Sequence, residues 1–352
     1  MAAGRRLTIK EVARAAGVST QTVSRVLNNR PDVSPETFER VQQIIDDLGY
    51  APNMLARSLT QGRSHVLGVV ASGLEYFGPS RVLTGIEQQA AEMGYAISLN
   101  LVHDPNTGDI DRILNNLVSR QVDGIIWAIP QVGDNLAWSR TASPEFPVPI
   151  VLVGGMDDQV GLPSVTIDNR AIGRVATEHL LDRGAQHVGI ITGPLTWWEA
   201  QQRELGWRDA FAARGLVAED RLVAIGDWTA DSGVVGVNAL LEQEPELDAV
   251  FASNDQMALG VLRSAHRVGR RIPEDLAVVG VDDIAESSHF WPSLTTVHQP
   301  LRDSGALAVR AIHGTIVRAR DGRRAVDVAI PLPALLEPRL IVRESSRGPA
   351  VP

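Results

Sequence analysis

The sequence predicts two unlike parts, an all-α helix-turn-helix headpiece followed by an α/β core of two doubly wound lobes. Three observations predict this. Residues 8–48 keep helical spacing interrupted by Gly and Ser, with no alternating strand pattern. From His65 onward, short β-rich runs alternate with helical stretches, the pattern of parallel strands covered by helices. There are seven such runs, too many for one ordinary sheet, so two similar lobes are the economical solution.

The first helix starts at Thr8. Thr8 followed three residues later by Glu11 is a capping box, in which hydroxyl and carboxylate each satisfy a free backbone N–H. Val12, Ala13 and Ala16 give the helix one small apolar face, and Gly17 stands where a helix end needs a residue tolerant of positive φ. After a short turn Ser19 caps a second helix. Its Val23, Val26 and Leu27 share a face, while Thr20, Gln21, Ser24 and Arg25 point away from it. That outer face carries base-reading chemistry: Arg can fork onto guanine O6 and N7, Gln can pair with adenine, and Thr can touch a thymine methyl. Two short helices joined by a Gly-containing turn, the second so decorated, predict a DNA reader; a solvated hairpin is the blander alternative. The candidate DNA contacts here are Thr8, Ser19, Thr20, Gln21, Thr22, Ser24, Arg25 and Asn28.

Asn28, Asn29 and Pro31 then break the chain. Ser34-Pro35 opens a third helix, in which Phe38, Val41, Ile44, Ile45 and Leu48 keep helical spacing until Gly49 ends it. Residues 1–49 thus make a headpiece of about the minimum size that buries its own core.

Residues 50–64, YAPNMLARSLTQGRS, are too few to hold a helix alone in water. Two readings fit, a plain linker or a hinge that folds on DNA. In the second, Asn53 caps a very short helix holding Ala56 and Arg57, with Leu59 as an apolar wedge at the minor groove. Asn53, Ala56, Arg57 and Leu59 complete the candidate DNA contacts.

In the core, residues 65–345, strand-like runs fall at 65–72, 95–102, 123–129, 149–155, 187–193, 248–253 and 276–283. Helical stretches separate them at about 80–93, 107–120, 169–183, 199–214, 230–243, 254–268 and 301–320. The chain is expected to build lobe 1 from about 65–163 and 294–324, and lobe 2 from about 164–293 and 325–345. Ligands of such sheets sit at the carboxyl ends of the strands, which in a bilobed protein can face a common cleft. Residues 346–352 are expected to be a tail; ESSRGPAVP, which follows Arg343, has no apolar heptads for a coiled coil.

Composition sets the outer bounds. With 352 residues and 44% hydrophobic content the chain can fill two or three domains. The formal charge of −9 divides unevenly. Residues 1–63 hold nine Lys or Arg against six Asp or Glu, a net of +3, which leaves −12 for the rest. A basic tip on an acidic body suits a DNA binder that avoids non-specific sticking and loses affinity steeply with salt. The absence of Cys excludes disulfides, thiolate metal sites and Cys nucleophiles. MAAGRRLTIK lacks the apolar core of a signal peptide and no run approaches membrane-spanning length, so a cytoplasmic protein with no membrane partner is expected.

The chain resembles the lactose repressor (LacI/GalR) family of bacterial transcription regulators over essentially its whole length. The matching stretches are TIKEVARAAGVSTQTVSRVLN, YAPNMLARSLTQGRS, GDWTADSG at 226–233, SNDQMALG at 253–260, VVGVDDI at 278–284 and SLTTVHQP at 293–300. The resemblance implies a core like a periplasmic sugar-binding protein and a homodimer on near-palindromic double-stranded operator DNA, without a cofactor or metal. It places base reading on Thr20, Gln21 and Arg25, the minor-groove leucine on Leu59, and the effector pocket on Ser72, Arg203, Trp228, Asn254, Asp282 and Gln299. Tyr76 and Glu199 join the candidate effector contacts. Arg, Asn and Asp offer directional hydrogen bonds to adjacent hydroxyls, and Trp offers a face to the C–H surface of a sugar ring, so a small carbohydrate effector is expected.

Departures from the family pattern matter as much. The family often has an aromatic residue where this chain has Thr20. Where the family's namesake has a carboxylate near the end of a first-lobe strand, this chain has Gly154; an aromatic position becomes Leu301 and a small polar one becomes Glu199. These changes suit a different saccharide, larger and with more than one ring. Trp127, Trp197 and Trp198 are read equally well as packing and as ligand contacts.

The function so implied is a repressor whose operator affinity falls when a sugar or oligosaccharide binds. Three alternatives stand beside it: the same family with a purine-like corepressor, a solute-binding protein without a DNA role, and an enzyme on the α/β core. Against the last, the sequence has no Walker-type loop, no HExxH and no nucleophile elbow, and its eight His are scattered.

Overall fold

A computed structural model describes residues 7–27, 30–50, 63–103, 109–130, 132, 135, 137–138, 146–155, 162–320 and 334–346. The chain divides into two compact units, residues 1–64 and 65–352.

The first unit is three helices, α1 (Ile9–Ala16), α2 (Thr20–Leu27) and α3 (Pro35–Leu48). Both Gly stops fall where expected. Gly17 (φ 65°) and Gly49 (φ 60°) are left-handed, and the following N–H groups return to the helix, Val18 to the Ala13 carbonyl and Tyr50 to the Ile45 carbonyl, each at 3.0 Å. Val12, Ala13, Ala16, Val23, Val26, Val41 and Ile45 form one buried cluster, so the apolar faces of all three helices meet. That core is small, and capping contributes a correspondingly large share of what holds the unit together.

The second unit holds two six-stranded sheets. The first contains β1 (Val66–Ala71), β2 (Ala96–Leu101), β3 (Gly124–Ala128), β4 (Ile150–Val153), β5 (Ser164–Ile167) and a late strand, β11 (Ala334–Leu336), in the order β11-β5-β4-β3-β1-β2 and parallel throughout. The second contains β6 (Val188–Thr192), β7 (Val223–Ile225), β8 (Ala249–Ala252), β9 (Ala277–Asp282), β10 (Thr295–His298) and β12 (Arg339–Ile341), ordered β12-β10-β9-β8-β6-β7. Only β12 runs antiparallel, against β10. Helices α4 (Phe77–Glu92), α5 (Ile110–Ser119) and α10 (Leu301–Arg320) cover the first sheet; α6 (Asn169–Asp182), α7 (Trp198–Ala212), α8 (Ala230–Gln243) and α9 (Asp255–Arg267) cover the second. Strands β3, β4, β6 and β8 are buried on both faces and read as continuous apolar runs, as doubly covered parallel strands do.

The expected lobe boundaries move in three places. Ser164–Ile167 belongs to the first sheet, because it pairs with β4, and the chain crosses only at Asp168, whose carboxylate caps α6 through the Ala171 N–H (2.8 Å). Thr295–His298 pairs with β9 and so stays in the second sheet; the return to the first comes with α10. In the last segment, Ala334–Leu336 extends the first sheet and only Arg339–Ile341 joins the second. The polypeptide therefore passes between lobes three times, at the carboxyl ends of β5 and β10 and between β11 and β12.

Candidate functional site

On the headpiece, α2 buries Val23 and Val26 and leaves Thr20, Gln21 and Arg25 exposed. Arg25 Nε lies 3.4 Å from Asp32, a half-exposed pair worth little in water that leaves the guanidinium available to a base. Ser19 and Thr22 are engaged with each other: the Ser19 hydroxyl accepts from the Thr22 N–H (3.1 Å) and shares a hydrogen bond with the Thr22 hydroxyl (2.9 Å). Thr8 donates its N–H (2.7 Å) and its hydroxyl (3.0 Å) to Glu11. Ser24 is half-buried. Asn28, Asn53, Ala56, Arg57 and Leu59 lie outside the described residues.

In the core, a cavity of about 440 Å³ opens between the lobes at the carboxyl ends of the strands. Lobe 1 supplies Glu75, Tyr76 and Phe77 at the start of α4, with Val153 and Gly154 at the end of β4; lobe 2 supplies Trp197, Glu199, Arg203, Trp228, Asn254, Gln256, Asp282 and Gln299. Leu301, at the start of α10, is also part of the lining. Seven of the eight expected effector contacts are thus brought together. Ser72 is buried with no hydrogen-bond partner for its hydroxyl, but it does not line the cavity.

The polar wall centres on Arg203, which α7 holds at 6% exposure. Its Nε donates to Asn169 Oδ1 (2.9 Å), one terminal nitrogen to the Ser253 carbonyl and the other to Gln299 Oε1 (3.2 Å). Gln299 Nε2 then donates to Asp282 Oδ1 (2.6 Å). Burial pushes the Asp282 carboxyl up to about 7, against the pull of Arg203. Burial likewise raises Glu199 above the ordinary carboxylate range, with Arg203 again opposing.

Asn254 does structural work as well. Its Oδ1 caps α9 by accepting from the Met257 N–H (2.8 Å), and its Nδ2 donates to the Trp228 carbonyl (2.9 Å). Trp228 (φ 73°) and Asp282 (φ 116°) both sit in the left-handed half of backbone space, which costs on the order of 1–3 kcal/mol each. The Trp228 indole lies so close over Gly193 that a β-carbon there would come within 2.0 Å of it, so only glycine admits this placement.

The aromatic wall is a chain of three rings. Trp197 meets Tyr76 from the opposite lobe edge-on and Trp228 at a tilt, each at 5.9 Å between centroids, and Arg203 stacks 5.6 Å from the Trp228 ring. Of the three equivocal tryptophans, Trp197 faces the cavity and the other two do not. Trp127 is fully buried, with its indole N–H bonded to Asn135 (2.7 Å) and its ring against Trp138.

Three buried polar atoms of the lining have no partner: Glu199 Oε2, Trp228 Nε1 and Gln256 Oε1. They ask for a ligand that donates twice and accepts once. Gln256 escaped the sequence reading because, in SNDQMALG, it looks like an ordinary residue of the first turn of α9. Among the described residues, no group of His, Asp and Glu is arranged to hold a metal ion, and no helix is long and apolar enough to cross a membrane.

Comparison with known proteins agrees with both units. Residues 8–53 match the family described as bacterial regulatory proteins, lacI family, and residues 177–346 match a periplasmic binding protein-like domain. Catabolite control protein A of Priestia megaterium is 36% identical over 307 residues, which are 87% of this chain and 91% of that protein. Among solved structures, the lac repressor dimer bound to operator and the anti-inducer ONPF is similar with a TM-score of 0.83 at 29% identity, covering 98% of this chain and all of that one. A complex of the transcriptional regulator CelR with cellobiose is similar with a TM-score of 0.68 at 33% identity, covering 97% of this chain and all of that one.

Proposed function

As a member of the lacI family of bacterial regulatory proteins the chain is a DNA-binding transcriptional repressor and not an enzyme, and we propose that a carbohydrate held between its lobes lowers its affinity for a near-palindromic operator. The observation that carries this reading is the cavity itself, where aromatic faces stand beside buried polar atoms that lack partners. Sugar hydroxyls donate and accept from one atom, and pyranose C–H faces pack on indole, so a saccharide answers both demands at once. The similarity to a regulator solved with cellobiose supports the same class of ligand.

The gearing follows from the topology. Three chain passages join the lobes, so a ligand that bonds Tyr76 and Trp197 across the cleft favours one lobe arrangement over another. The response can be no larger than the ligand's own preference between arrangements, typically about 1–3 kcal/mol. Operator contact falls to Thr20, Gln21 and Arg25 in the major groove, with Thr8, Ser19, Thr22, Ser24 and Asn28 toward the backbone and Asn53, Ala56, Arg57 and Leu59 at the hinge.

The working unit is a two-fold homodimer in the cytoplasm. Large apolar side chains stand exposed at one edge of lobe 2, Ile225 at the end of β7 (65%) and Val235 on the neighbouring α8 (69%), and an isologous contact would cover them. Footprinting on genomic fragments selected by the purified protein, repeated with a panel of mono- and disaccharides, tests the proposal. A symmetrical protected site that a sugar releases supports it; a site tightened by a purine, or indifferent to every saccharide, refutes it.

A further inference from the structure

We infer that the effector is an uncharged saccharide of at least two rings, read before any phosphorylation or oxidation, and that Glu199 is the residue that imposes this choice. The inference rests on the sugar-binding reading above and narrows it.

Size argues first. A hexose displaces roughly six waters, and at about 30 Å³ per water that is about 180 Å³. The cavity, about 440 Å³, would be left more than half open by one ring. The row of Tyr76, Trp197 and Trp228 spans both lobes and offers stacking surface for a second ring.

Charge argues next. Among the described residues, the charged side chains of the lining are Glu75, Glu199 and Asp282 against one cation, Arg203. That cation is already committed through all three guanidinium nitrogens, to Asn169, the Ser253 carbonyl and Gln299. A phosphoryl group brings about −1.5 to −2 charges and acceptor oxygens, and would meet carboxyls instead of a receiving Arg or Lys. A carboxylated sugar meets the same wall.

Glu199 stands at the centre of this. It comes from lobe 2 and reaches the first lobe, where its Oε1 lies 3.1 Å from the place a β-carbon on Gly154 would occupy. Its Oε2 is buried in the cavity wall without a partner, so it is positioned to accept from a hydroxyl. Admitting an anion would first require Glu199 and Asp282 to hold protons. Burial raises both carboxyls, Asp282 to about 7, which brings that protonation within reach near neutral pH, so any such binding should be linked to proton uptake and weaken as pH rises. A regulator with this filter reports the free oligosaccharide. The reaction that consumes its signal is therefore cleavage or phosphorylation of that saccharide, and the product of a sugar kinase is not its signal.

The experiment uses the full chain on its selected operator, with anisotropy reporting DNA release and melting temperature reporting ligand binding. The probes are cellobiose, maltose, lactose and trehalose, then glucose and galactose, then cellobiose 6-phosphate, trehalose 6-phosphate and cellobionate. The expected result is that at least one neutral disaccharide releases the operator, with its phosphorylated or carboxylated form and its constituent monosaccharide each weaker by about tenfold or more. In Glu199→Gln the gap between neutral and anionic forms should narrow. In the unmodified chain, whatever anion binding exists should weaken more steeply from pH 6 to 8 than neutral-sugar binding does. A phosphorylated sugar or a monosaccharide acting at lower concentration than every disaccharide overturns the inference while leaving the sugar-controlled repressor intact. If no saccharide of any kind shifts the melting temperature, the sugar reading itself falls and this inference falls with it.

Discussion

Gly154 and Glu199 fit together across the cleft: a β-carbon on the glycine would stand 3.1 Å from the carboxylate's Oε1, and the glycine's φ of 83° admits no other residue comfortably. Gly154, at the end of β4, thus leaves room for a carboxylate that reaches it from the first turn of α7. Gly154→Ala should cost about 1–2 kcal/mol of stability from backbone conformation alone. It should also weaken effector binding by pushing Glu199 aside. In a double-mutant cycle with Glu199→Ala, the binding part should vanish while the stability part remains, measured by denaturation and by ligand titration. Strictly additive binding losses would show that the two side chains do not act on each other.

Arg203 holds lobe 2 together as well as facing the cavity. Arg203→Ala strips the donor from Asn169 Oδ1, Gln299 Oε1 and the Ser253 carbonyl and removes the buried cation that faces Asp282, and should destabilise the core by roughly 3–5 kcal/mol. Arg203→Lys should recover only part of that, because one ammonium nitrogen cannot span the three acceptors that the planar guanidinium reaches through separate nitrogens. Both variants should lose the sugar-induced rise in melting temperature. Urea denaturation showing unchanged stability for the alanine variant would contradict the network.

The pH dependence has a definite sign. Asp282, raised by burial to about 7 from the ordinary carboxylate value of 3.8, binds its proton more tightly folded than unfolded, as does Asp255, raised to about 6. Stability from these groups is complete below about pH 4 and is lost as pH rises through 6 to 7. Melting temperature should therefore fall across that window once other titrations are matched, and Asp282→Asn should flatten the fall while keeping the bond from Gln299. A wild-type profile that rises through the same window, with Asp282→Asn parallel to it, would contradict this assignment.

The residues proposed for base reading and those proposed for effector binding lie on separate units. Gln21→Ala and Arg25→Ala should each cost about 1–3 kcal/mol of operator affinity and relax specificity at one base position, leaving the sugar-induced thermal shift unchanged. Electrophoretic mobility shifts against single-base operator variants would check this; a uniform loss on all variants would assign the residue to phosphate contact instead.

Much of this architecture was legible in the residues because the deciding signals are local. Thr8 with Glu11, Ser34 with Pro35, and the left-handed Gly17 and Gly49 fix helix ends within a few positions of chain, and the observed α1 and α3 begin and stop there. The long apolar runs of β1, β3, β6 and β8 were equally plain. Three-residue strands such as Val223–Ile225, Ala334–Leu336 and Arg339–Ile341 carry no period to detect, and Ser164–Ile167 took its lobe from pairing with β4, which no local pattern encodes. The pocket divided in the same way. Trp228, Asn254 and Asp282 lie inside recognisable motifs, whereas the open carbonyl of Gln256, the inward turn of Trp197 and the exclusion of Ser72 depend on how two lobes close around one space.

The central claim is that occupancy of the cleft controls the grip on DNA. Its most direct measurement is operator affinity of the full chain, by anisotropy at fixed salt, across a titration of neutral disaccharides, with Arg203→Ala in parallel. The account predicts that one disaccharide weakens operator binding by about fivefold to 150-fold for the wild type and has no effect on Arg203→Ala. Operator affinity that stays constant while that same sugar demonstrably fills the cleft would contradict it.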